Sequence, residues 1–65
     1  MQGNWLEEVK SNLEAIEVLQ NAITSEMLAI QDNPKEKAIA EHRMLNFLTL
    51  LQGRAKAVNT FIKEE

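Results

Sequence analysis

Met44-Leu45-Asn46-Phe47-Leu48-Thr49-Leu50-Leu51 decides the fold. Wound as a helix, its apolar residues spread round about half of the circumference instead of keeping to one narrow stripe. A single neighbouring helix covers less than that, so the helix carrying this stretch is expected to pack on more than one neighbour. A chain of 65 residues can supply one such neighbour from itself. The other is expected from a second copy or from a partner protein.

Size points the same way. The chain is one domain across residues 1–65, close to the lower limit at which a single core outweighs chain entropy. Ordering costs roughly 1.5 kcal/mol per residue, and a lone pair of helices buries too little to offset it. There is no Cys, so no disulfide can help, and a single His argues against structural zinc. No apolar run approaches the roughly 20 residues of a membrane span, and the first residues lack the basic segment and apolar block of a secretion signal. A cytoplasmic protein without membrane contact is therefore expected.

Outward from the opening stretch, the only strong helix breaker is Asp32-Asn33-Pro34-Lys35-Glu36. Pro34 cannot continue a preceding helix but suits the first position of a new one, with Asn33 as its cap and Glu36 three residues on. Asn4 and Glu7 repeat the same device near the start, after a loose Met1 to Gly3. The reading is a helix over about 5–31, a turn at 32–33 and a second helix over about 34–63. A turn this short makes them antiparallel neighbours. The fold class is all-α, an antiparallel two-helix hairpin that dimerises into a four-helix bundle.

Apolar spacing of three and four draws the first stripe through Leu6, Val9, Leu13, Ile16, Ile23, Met27 and Ile30, with Gln20 the interruption. The second runs through Met44, Leu48, Leu51, Ala55, Val58 and Ile62, flanked by Ile39, Phe47, Leu50, Ala57 and Phe61. Equal rise in both helices sets Met27 near Ile39, Gln20 near Asn46, Leu13 near Gly53, and Trp5 near Phe61 and Ile62. Gln20 and Asn46 either pair as amides and fix the register or reach solvent. Gly53 either marks a close helix crossing or kinks the second helix, and the stripe's continuity favours the crossing, where Gly53→Leu would overpack. Ala15, Ala22 and Ala29 lie seven apart on one flank of the first stripe, which either admits a close neighbour or reflects helix propensity.

The excess apolar surface then falls on Ala15, Ala22, Ala29, Phe47, Leu50 and Phe61, the expected interface. The expected partner is a second copy of the chain, with another helical protein as the variant. Net charge is -3 overall. Residues 1–33 set Lys10 against Glu7, Glu8, Glu14, Glu17, Glu26 and Asp32, a net -5, while residues 34–65 carry +2. Opposite signs favour the halves lying side by side, and the overall surplus of acid speaks against a general phosphate binder.

No phosphate loop, zinc-protease helix or nucleophile with a nearby base is present, so no enzyme and no cofactor or metal are expected. Glu14 and Glu17 share a helix face but lack the histidines of a carboxylate metal site. They read as a solvated acidic face, with His42 on a polar side of its helix. Arg43 and Arg54 stand among Phe47, Leu50 and Phe61, with Lys35, Lys56 and Lys63 on the polar side, and basic groups beside aromatics can hold nucleic acid. The alternative, arginines paired with the acidic first helix, accounts for them better.

In size and layout the chain resembles the plasmid-encoded Rop family, short helical hairpins that dimerise into a four-helix bundle and bind RNA. That resemblance lies in architecture and brings no shared motif, so it transfers no residue role. The function expected is a non-enzymatic protein-interaction module acting as an adaptor, assembly or regulatory factor, with a Rop-like nucleic-acid-binding regulator as the alternative.

Overall fold

The computed structural model describes residues 4–64, so the expectation for Met1 to Gly3 lies outside the described residues. Two helices account for nearly all of it: α1, Trp5–Asp32, and α2, Lys37–Glu64, joined through Asn33 and a 3-10 turn, Pro34–Glu36. They run antiparallel and pack against each other along their length, an all-helical hairpin.

Asn33 makes this turn. Its backbone N–H donates to the Ala29 carbonyl at 2.9 Å and closes α1. Its side-chain oxygen accepts from the Lys35 N–H at 3.3 Å. Its own carbonyl accepts from the Glu36 N–H at 2.9 Å, and Pro34 occupies the first position, where the absent N–H costs nothing. The repeat of this device at the start of the chain does not operate. Asn4 has φ -99° and ψ 13° and makes no side-chain cap bond, because those angles lie outside the extended region from which a cap side chain folds back onto the first turn.

The helices meet along two rows that alternate steps of four and three, the spacing of coiled-coil packing. On α1 these are Trp5, Val9, Asn12, Ile16, Leu19, Ile23, Glu26 and Ile30, all sheltered to some degree. On α2 they are Ala40, Met44, Phe47, Leu51, Val58 and Phe61, with the exposed Arg54 completing the spacing. The stripes read from periodicity share Val9, Ile16, Ile23, Ile30, Met44, Leu51 and Val58 with this seam but are turned away from it. Leu6, Leu13 and Met27 are exposed, as are Leu48 and Ile62. Gln20 and Asn46 are exposed as well, so they form no amide pair in the seam.

The polar residue inside the seam is Asn12, 6% exposed. Its amide nitrogen donates to the Glu8 carbonyl at 2.8 Å and its oxygen accepts from Arg54 at 3.3 Å. Both halves of the amide are thus satisfied, which is what a buried Asn requires. Near the turn Glu26 is held in the same way by Arg43, at 3.2 Å. Asn12 opposite Arg54 and Glu26 opposite Arg43 fix the register of the hairpin.

Gly53 does not mark a close crossing. It is helical and exposed, and a Cβ built there meets nothing within 4 Å. The apolar residues on either side continue the stripe without any contact at Gly53 itself, so continuity of the stripe was no guide to packing there. α2 passes through it as one unbroken helix.

Ala40 is the one buried apolar residue, and no large side chain is fully buried among the described residues. The molecule is a single layer of two rods, with Cα extents of 49 × 14 × 10 Å. Its radius of gyration is 15.1 Å, where a compact chain of this length would have about 11 Å. Stable domains close a core between two layers, and this hairpin presents only one.

Candidate interaction surface

A single layer has two open faces, and two features mark which residues belong to each. The Glu26–Arg43 ion pair bridges the helices on one side. An open groove of about 480 Å³, lined by Ile23, Glu41, Met44, Leu45 and Leu48, lies between them on the other.

Helix geometry extends both assignments along the rods, because residues seven apart return to nearly the same side. Met27 is one turn beyond the groove-lining Ile23, and Gln20, Leu13 and Leu6 follow it back at sevens. On α2, Ala55 and Ile62 follow Leu48 forward at sevens. The groove face therefore carries Leu6, Leu13, Met27, Leu45, Leu48 and Ile62, six of the ten large hydrophobics left exposed among the described residues. Exposed large apolar side chains gathered on one face, rather than scattered singly, mark interaction sites.

The opposite face holds the alanine row. Ala15, Ala22 and Ala29 are half-buried on the side of α1 that carries the ion pair, and Leu50 and Ile39 stand exposed on the corresponding side of α2. Of the six residues expected at the interface, Phe47 and Phe61 are half-buried by the chain's own packing and sit in the seam spacing of α2. Leu50, 58% exposed, is the large side chain of that set left free. Reading the wide apolar arc of residues 44–51 as one stripe and one flank overlooked that it leaves two flanks. The signal for the second was in the same octapeptide, in Leu45 and Leu48.

The basic residues divide. Arg43, Arg54, Lys35, Lys56 and Lys63 are all exposed, but Arg43 contacts Glu26 and Arg54 contacts Asn12. Glu14, Glu17 and His42 are exposed too. Among the described residues no group of three or more His, Cys, Asp or Glu is placed to hold a metal ion. No described helix is long and apolar enough to cross a membrane.

No family model matches the chain, and no curated protein or solved structure does so either.

Proposed function

We propose that the chain is a non-enzymatic protein-interaction module that pairs with a second copy of itself into a four-helix bundle, working as a small adaptor, assembly or regulatory factor in that form. One observation carries the reading. The hairpin exposes 5054 Å², whereas a folded monomer of its 7.4 kDa mass is expected to expose about 4,200 Å². The surplus, about 850 Å², is close to the roughly 800 Å² that each partner contributes to a specific interface. Two open faces can receive the second copy, the alanine face with Leu50 and the groove face.

Sedimentation equilibrium at micromolar concentration tests this: the expected species has twice the 7.4 kDa mass of the chain. A well-folded monomer over that range would refute the dimer and leave the surface to a different partner. The nucleic-acid reading draws less support. Two of its four residues, Arg43 and Arg54, already contact Glu26 and Asn12, and only Lys35 and Lys56 stay free of such contacts. Binding through them would weaken steeply with salt, which contact through leucines would not.

A further inference from the structure

The apolar stripe of α1 does not point straight at α2. The apolar stripe of α1 and the line along which α1 touches α2 share Val9, Ile16, Ile23 and Ile30, then diverge. The stripe takes in Leu6, Leu13 and Met27, all exposed. The contact line instead takes Trp5, Asn12, Leu19 and Glu26, two of them polar. The apolar arc of α2 is wider and spans both sides of its contact line, with Ile39, Leu50 and Ala57 on the alanine side and Leu45, Leu48 and Ile62 on the groove side. Its stripe and contact line share Met44, Leu51 and Val58, after which the stripe adds Leu48, Ala55 and Ile62, and the contact line adds Phe47, Arg54 and Phe61.

The stripe of α1 is therefore rotated off the contact line toward the groove face, while the wide arc of α2 is centred near its own contact line. In an isolated pair each stripe would be centred on the other helix. In a four-helix bundle each stripe is centred on the bundle axis, between its two neighbours. The rotation of α1 is the one a second layer on the groove face requires, and it is opposite to the one a layer on the alanine face requires.

We infer that the second copy sits on the groove face, over Leu6, Leu13, Met27, Leu45, Leu48 and Ile62, and leaves the alanine face open. This rests on the dimer proposed above and names its surface. The shape of the face selects a second hairpin as its occupant. It runs from Leu6 and Ile62 at the open end to Met27 and Leu45 toward the turn, and a second 49 Å rod covers all of it. The surplus exposure of the hairpin as a whole is of the size that one such partner covers.

Leu13 and Leu50 make a matched test, since the hairpin alone leaves them 51% and 58% exposed and they stand on opposite faces. Sedimentation of Leu13→Glu at concentrations where the wild type is dimeric should show loss of the dimer, and Leu50→Glu should keep it. Because Leu13→Glu can lose its fold together with its partner, thiol accessibility supplies a milder measurement in a chain with no native Cys. Leu13→Cys should react with a soluble maleimide roughly 10-fold more slowly when the protein is concentrated well above its dimer dissociation constant than below it, by mass action. Leu50→Cys should react at one rate throughout. Dissociation caused by Leu50→Glu, or protection of Leu50→Cys with Leu13→Cys left reactive, would overturn the choice of face while the dimer stands. A wild-type monomer would remove both.

Discussion

Replacing Gly53 with Ala tests the packing of α2 without touching any apolar contact. A glycine inside a helix costs about 0.8–1.0 kcal/mol relative to alanine, because the unfolded chain loses more backbone freedom and no side chain shields the helix. Gly53 lies well inside Lys37–Glu64, has no positive φ, and offers open space around an added Cβ. None of the reasons that make glycine irreplaceable applies. Gly53→Ala should therefore stabilise each chain by about 1 kcal/mol, raising the thermal midpoint by roughly 4–8 °C for a domain of this size. In a dimer the gain is made twice. Circular dichroism on melting or urea titration, at matched protein concentration, measures it. Gly53→Leu should likewise be tolerated, which reverses what a close crossing would demand. A destabilised Gly53→Ala would refute the reasoning and show that something packs onto the alanine side of α2 at that level.

Pro34→Ala should cost about 1 kcal/mol or less and leave the hairpin intact, since Asn33 keeps its bonds to Ala29 and Lys35; unfolding by this change, read from the helical signal, would show that the turn itself drives the topology. Asn12→Leu should raise stability by roughly 1 kcal/mol or more, because an apolar residue replaces a polar one in a sheltered site and Arg54 is exposed enough to turn to water. The same variant should lose uniqueness of register, seen as extra amide peaks in NMR spectra. Marked destabilisation would instead mean that the Arg54 contact is worth more than its polarity costs.

Two long helices and the turn between them were legible because their signals are local. Pro34 with Asn33 breaks the chain once, and the 3.6-residue repeat on either side is long enough to leave no other assignment. The phase of the packing was less legible. Periodicity finds where apolar residues are and takes that direction as the contact, yet the seam also accepts Asn12 and Glu26 because Arg54 and Arg43 meet them across the helices. Those pairings depend on register and are invisible to a single-helix pattern. Asn4 shows the same limit on a smaller scale: the residue type was right for a cap, but the cap depends on backbone angles that the type does not set.

The mismatch between stripe and seam is informative once the number of layers is considered. For a monomer it would be a fault, with leucines in water and an amide inside. In a bundle built on the groove face the apolar residues change role. Leu13, Leu48 and Ile62 point toward the common axis, while Asn12 stays enclosed in the seam with Arg54 as its partner and Glu26 stays paired with Arg43. Arg54 and Arg43 are themselves exposed, so the charges of these pairs keep part of their hydration. On that proposal the sequence pattern describes a core that one chain half encloses, with the polar pairs setting the register of the hairpin.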